Sequence, residues 1–356
     1  MNENEINDMR KKTDFRGITF SKFKKNDAKK ELLKSLFESK LEPACYWGAE
    51  FICAGHFIDL WDIILHFMSN NIHLGNPKLP LYIEIRFETF KNIILNGYVG
   101  QEIRLRNNNK IRQLFAEVLS ILCLSKKKNS LDKHSINKND FHMENITSKL
   151  KADNIEYAKS TFRKADPKEL FIAMNELAYH ITTDSRNMID ACYWVEWILE
   201  FERICIAKKD KCRIDRRNFA PVAAKHQMDV IWIIWEVFLH EADKKLDCTK
   251  KIILALLNLF CIHFTLGCKR KRKFLIYFAI ELLTEHVEMK TPIYTDQKMI
   301  ETIKNKINII YKQVKKNEQA PKTGYLFNNS FNDGNLEKTI NKLEKMQSIN
   351  HILHRK

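Results

Sequence analysis

Nine glycines and seven prolines are all that 356 residues contain, and this scarcity limits the folds open to the chain more than any other feature. An all-β sandwich or barrel turns roughly every 8–12 residues, and its tight turns draw heavily on Gly and Pro, the residues with special backbone angles. Long Leu/Ile/Phe/Lys/Glu runs occupy the chain instead, and these suit helices. An all-α protein is therefore expected. With 45% hydrophobic and 29% charged residues, the chain can bury a sizeable core in one large or two ordinary domains. A disordered tail, a collagen or a small stapled scaffold is excluded.

Nine cysteines, an odd number, sit in apolar stretches such as Ala44-Cys45-Tyr46-Trp47 and Phe260-Cys261-Ile262. They lack the regular spacing of a secreted disulfide framework, so a reducing, intracellular setting is expected. The first residues carry acidic side chains and no apolar core, unlike a signal or transit peptide. Residues 1–27 read as an exposed, mobile basic arm. The most apolar run, 252–266, falls short of the roughly 20 residues that span a bilayer and contains Asn258 and His263. It reads as a buried core helix, and no membrane span is expected.

Self-similarity organises the rest. Ala44-Cys45-Tyr46-Trp47 recurs as Ala191-Cys192-Tyr193-Trp194, built from residue types that are scarce here. A Lys-Glu-Leu helix start precedes each copy, at Lys30-Glu31-Leu32 and at Lys168-Glu169-Leu170. An Asp-led apolar helix follows each, from Asp59 and from Asp229, the second at a greater distance that requires an insertion. Last comes a basic stretch leading into Phe115-Ala116-Glu117 or Phe278-Ala279-Ile280-Glu281. The order implies two tandem, similar multi-helix units. The first covers 28–125; the second, with a following amphipathic helix at 297–316, covers 166–316. A polar linker, 126–165, joins them and has room for two short helices. Residues 317–356 read as a loop and a terminal amphipathic helix whose stripe includes Leu336, Ile340, Leu343 and Met346.

Catalytic and metal motifs are thin. No C-x₂₋₄-C pair exists; Cys205 with Cys212 and the trio Cys261, His263 and Cys268 are the nearest approach to zinc ligands, and read as free thiols. His56, Asp59, Asp62 and His66 share one helix face without the spacing of a di-metal bundle, and read as a hydrogen-bonded polar stripe. Glu196, Glu200 and Arg203 form a narrow stripe in which Glu200 should pair with Arg203 one turn on. No nucleophile with an oriented base, phosphate loop, dinucleotide fingerprint or H-E-x-x-H stands in the chain. No catalytic residue, metal or cofactor is assigned.

Charge is the stronger signal. Sixty Lys+Arg against 44 Asp+Glu give a net charge of +16, which points to an anionic partner or to solubility by positive charge. The cations cluster. One group holds Lys22, Lys24, Lys25, Lys29 and Lys30; a second holds Arg104, Arg106, Lys110 and Arg112; a third holds Lys208, Lys209, Lys211, Arg213, Arg216 and Arg217. The run Lys269, Arg270, Lys271, Arg272 and Lys273 lies between an apolar helix and the next helix start, where backbone N–H groups and the helix dipole add to the side chains. The last three groups, Lys211 apart, are the expected nucleic-acid contacts, and the second and last are expected to face one side of the protein.

Ala191-Cys192-Tyr193-Trp194-Val195-Glu196-Trp197, Ala279-Ile280-Glu281-Leu282-Leu283-Thr284-Glu285, and Ile309-Ile310-Tyr311-Lys312-Gln313 through Tyr325-Leu326-Phe327-Asn328-Asn329 resemble an uncharacterised family of helical proteins from nucleocytoplasmic large DNA viruses, the giant viruses. The Lys/Asn-rich composition suits an AT-rich viral genome. The resemblance covers about residues 15–329 and carries over no functional residues. It implies a viral protein made in the host cell, in the cytoplasm or a viral factory, or packaged in the virion. Together these readings give a non-enzymatic protein that binds DNA or RNA and serves viral genome replication, transcription or packaging. The alternative is a scaffolding component of the virion that makes protein contacts through its terminal helix and the Tyr325-Leu326-Phe327 loop.

Overall fold

The structure, a computed structural model, describes residues 4–132, 134–210, 212–294 and 296–319. Among these residues every regular element is a helix and the single β-bridge, Ile18 with Lys24, is isolated. The chain is all-α, as its shortage of turn formers predicts. The first half holds α1 Lys25–Phe37, α2 Leu41–Cys53, α3 Phe57–Phe67, α4 Leu79–Leu95 and α5 Asn109–Leu124. After α6 Met143–Lys149 come α7 Phe171–Ile181, α8 Met188–Lys208, α9 Ile231–Ala242, α10 Asp247–Phe260, the single turn α11 Cys268–Lys271, α12 Lys273–Thr284 and α13 Gln297–Lys315.

Side chains that answer the free N–H groups of a first turn fix several of these starts. Asn108 Oδ1 accepts from the backbone N–H of Lys110 (2.9 Å) and Ile111, Asn187 caps α8, and Asp296 caps α13. Lys209, in the left-handed region (φ 62°), ends α8. The apolar run expected as one helix over 252–266 leaves helical geometry after Phe260. Arg272 explains the early stop, because its guanidinium takes the carbonyls of Phe260 (2.9 Å) and Ile262 at that end.

Each half gathers around one central helix. In the first, α5 packs on α1, α2, α3, α4 and α13; in the second, α12, buried at every residue from Phe274 to Thr284, packs on α7, α8, α9 and α10. The neighbours recur in order, since α1 lies on α2 and α3 as α7 lies on α8 and α9. Ala44 and Ala191 are each the fourth residue of their helix, and Ala44, Cys45, Ala191 and Cys192 are all buried. The tryptophans differ: Trp194 is buried, whereas Trp47 is half-buried against Phe23 and Tyr46. Residues 209–230 separate α8 from α9, where 54–56 suffice between α2 and α3.

The halves meet through α4 on α10 and through α12 on α3 and the π-turn Met68–Ile72 that follows it. Polar side chains cross the seam: Arg272 to Asp62 (2.7 Å), His73 to Glu281 (2.9 Å) and Asn258 to Glu84 (2.6 Å). The N-terminal segment, expected to be an exposed arm, buries Ile6, Phe15 and Phe20 instead. Asp8 and Arg10 pair at 2.6 Å and the Arg10 guanidinium lies over the rings of Phe15 and Phe20, while Lys11, Lys12, Arg16, Lys22 and Lys24 stay exposed. The segment 126–165 contains a 3-10 turn, Lys138–Phe141, and α6, and is packed at Ala158 and Thr161. The expected terminal helix and the 325–327 loop lie outside the described residues.

Candidate anion-binding cleft

Two of the basic groups read from the sequence come together in space. The C-terminal half of α8, the loop 209–230 that follows it and α11 enclose a cleft of about 910 Å³. Lys209 and Arg213 of one group and Lys269 and Arg270 of the other line it, joined by Arg203 and Lys225. Lys209, Arg213 and Lys225 are exposed and form no ion pair among the described residues. Arg203 is held by Glu200 (2.8 Å), the pairing expected from their spacing, and Arg270 reaches the same carboxylate at 3.6 Å. Asp210 is the acidic member of the rim.

The floor is ionic and dry. Lys269 Nζ lies 2.6–2.9 Å from both oxygens of Glu202 and both oxygens of Asp229, with all three side chains buried. Burial and then the adjacent Asp229 carboxylate push the Glu202 carboxyl above its usual range, against the pull of Lys269. The Lys269 ammonium is taken up by these two carboxyl groups, so the attraction for an anion resides in the rim.

The run 269–273 is thus split. Arg270 and Lys271 are exposed, while Arg272 is buried on Asp62 and the carbonyls that end α10. Lys273 is half-buried and donates to Glu196 at 2.6 Å, as does the Tyr277 hydroxyl at 2.5 Å. The group at 104–112 is split in the same way. Arg104 and Lys110 are exposed, whereas Arg106 donates to the carbonyl of Asp8 (3.0 Å), and Arg112 to those of Arg106 (2.7 Å) and Asn4 (2.9 Å) with its guanidinium 4.2 Å from the Tyr311 ring centroid. Farther along the third group, Arg216 is exposed and bonds Gln227, and Arg217 is fully buried between Asp166 (2.7 Å) and Glu236. Lys208, the exposed last residue of α8, faces a neighbouring apolar groove.

Sequence reasoning read Arg203 only as a partner of Glu200, and missed Lys225 as a rim residue because it stands alone in the loop. The acids that hold the buried cations carried a signal of their own. Glu202, Asp229, Glu196 and Asp62 sit on or beside apolar helices, and an acid in such a setting implies a cation near it in the fold.

The remaining polar stripe has its own partners at each position. His56 Nε2 bonds the Ile18 carbonyl (2.8 Å), Asp59 pairs with Lys25 (3.0 Å), Asp62 with Arg272, and His66 packs edge-on against Phe274. Among the described residues no three His, Cys, Asp or Glu side chains gather as a metal site. The thiols of Cys205 and Cys212 lie within hydrogen-bonding reach of each other, and burial pushes both upward, Cys212 to about 12. No helix among the described residues is long and apolar enough to cross a membrane. No protein-family model, curated protein or solved structure matches the chain.

Proposed function

We propose that the chain is a non-enzymatic protein that binds nucleic acid through the rim of the 910 Å³ cleft. One observation carries the reading: Lys209, Arg213 and Lys225 converge on one concave surface with no carboxylate committed to them among the described residues. Cations left unpaired around a cleft concentrate positive potential there and favour a phosphate backbone. Arg270 of α11 lines the same cleft, and Lys271, the next residue, is exposed. Lys208, Arg216, Arg104 and Lys110 are the other exposed members of the groups read from the sequence. The five buried cations, Lys269, Arg272, Arg106, Arg112 and Arg217, serve as supports of the fold in this reading.

The recurrent helix neighbours support a tandem duplication in which α1, α2, α3, α4 and α5 correspond to α7, α8, α9, α10 and α12. The second copy would then have gained the insertion 209–230, and with it the cleft. The resemblance to giant-virus helical proteins suggests the setting: genome replication, transcription or packaging in the host cell. Titration of labelled single-stranded DNA, duplex DNA and RNA at several salt concentrations tests the reading. Binding that weakens steeply and log-linearly with salt is expected. Absence of binding to all three at low salt would leave the scaffolding alternative.

A further inference from the structure

Beside the basic cleft, on the other side of α8, lies a groove of about 730 Å³ with a different character. Four apolar α8 side chains line it, Trp194, Trp197, Phe201 and Ile204, with Glu200, Arg203 and Lys208 of the same helix. Phe141 packs on Trp197 with ring centroids 4.8 Å apart, and Phe201 stacks on it at 5.6 Å. The opposite walls are Met143 of α6, 71% exposed, and Ile172 of α7, 46% exposed. Leaving such side chains in water beside an apolar floor has a cost that a bound apolar group would relieve.

The lining divides between apolar side chains and the charged Lys138, Lys168, Glu169, Glu200, Arg203 and Lys208. Along α8 the backbone donors and acceptors are used within the helix, and the Trp197 indole N–H is already given to the Asp140 carbonyl at 3.1 Å. A nucleobase edge or a peptide backbone laid against these aromatic and aliphatic side chains would find few partners and would pay for its desolvation. The part of a ligand that enters must therefore be hydrocarbon. At the mouth stand Lys138, Lys168 and Lys208, all exposed and without an ion pair among the described residues. Glu169 is there too, and Glu200 is taken by Arg203. The mouth is suited to one anionic head.

We propose that this groove binds a single-chain anionic amphiphile, with its hydrocarbon tail against Trp194, Trp197 and Phe201 and its carboxylate or phosphate head among Lys138, Lys168 and Lys208. A free fatty acid and the acyl chain of an anionic membrane lipid share this chemistry. Arg203 borders both the groove and the cleft, but Lys138 and Lys168 do not line the cleft, so substitutions there test the groove apart from the polyanion reading.

Tryptophan fluorescence of the full chain, titrated with decanoate, dodecanoate and dodecylammonium below their micelle concentrations, reads the groove directly. Dodecanoate should give a saturable change, roughly tenfold tighter than decanoate because two more methylenes are buried, and dodecylammonium should give none. Lys138→Glu with Lys168→Glu should weaken dodecanoate at least tenfold while far-UV circular dichroism stays unchanged. Sedimentation with phosphatidylserine vesicles separates the two sources. Binding to monomeric dodecanoate alone supports a free amphiphile, and binding to both supports a membrane lipid. Equal responses to the anionic and cationic chains, unchanged affinity in the double variant, or binding to vesicles alone would overturn the proposal.

Discussion

Lys269 is held under Glu202 and Asp229 with almost no exposure, its ammonium shared between the two carboxyl groups. Removing its ammonium leaves two carboxylates facing each other in a low-dielectric floor. Lys269→Met should therefore lower stability by about 3–5 kcal/mol, and adding Glu202→Gln and Asp229→Asn should recover much of the loss; urea denaturation of the three proteins checks this. The Glu202 carboxyl is held above its usual range by burial and by Asp229, so the folded state holds that proton more tightly than the unfolded chain does. Its contribution to stability is full below the ordinary carboxylate range and is lost as pH rises through the raised value. Glu202→Gln should flatten that part of the profile of Tm against pH, and an unaltered slope would contradict the assignment. At this scale the sequence was only half legible. A run such as Lys269 to Lys273 does not say which members meet water, because tertiary neighbours decide it: Asp62 for Arg272, Asp229 for Lys269, and nothing for Lys271 among the described residues.

Helices were the more readable unit. Of the apolar stripe Ile300, Ile303, Ile307, Ile310 and Val314 of α13, Ile300, Ile307 and Val314 are buried and Ile303 and Ile310 half-buried, and the helix starts on the cap Asp296. The run 252–266 had the right composition but the wrong end, since the residue that terminates it, Arg272, lies beyond the run and acts only once α10 and α12 are packed. Asn108 accepts two N–H groups at the start of α5, so Asn108→Ala should cost about 1 kcal/mol, measurable by chemical denaturation. A larger effect belongs to the turn His73–Gly75. A Cβ on Gly75 would stand 2.2 Å from the backbone oxygen of Lys126, and a backbone cannot yield as a side-chain tip can. Gly75→Ala should then destabilise by about 1–3 kcal/mol or more, and a neutral effect on Tm would show that the chain after α5 moves aside freely.

The halves of the molecule share a buried seam, and this shapes what can be tested at the largest scale. Arg272 with Asp62 and His73 with Glu281 bind α12 to elements of the first half, so heat should unfold the chain in one transition, seen alike by near-UV and far-UV circular dichroism. Two separated transitions would show that the seam is weak. The all-α class was visible in the scarcity of Gly and Pro, whereas the cleft was not, because it arises from the loop 209–230 meeting α11, a contact distant in sequence and without periodicity to announce it. The claim that this cleft receives a polyanion is tested most directly by comparing the salt dependence of nucleic-acid affinity in the native chain and in a Lys209→Ala, Arg213→Ala, Lys225→Ala variant, whose exposed side chains support no buried contact. The account predicts weaker binding to all sequences alike and a slope of log affinity against log salt shallower by about 2–3, roughly one unit per phosphate released; unchanged affinity and slope, with the fold intact, would contradict it.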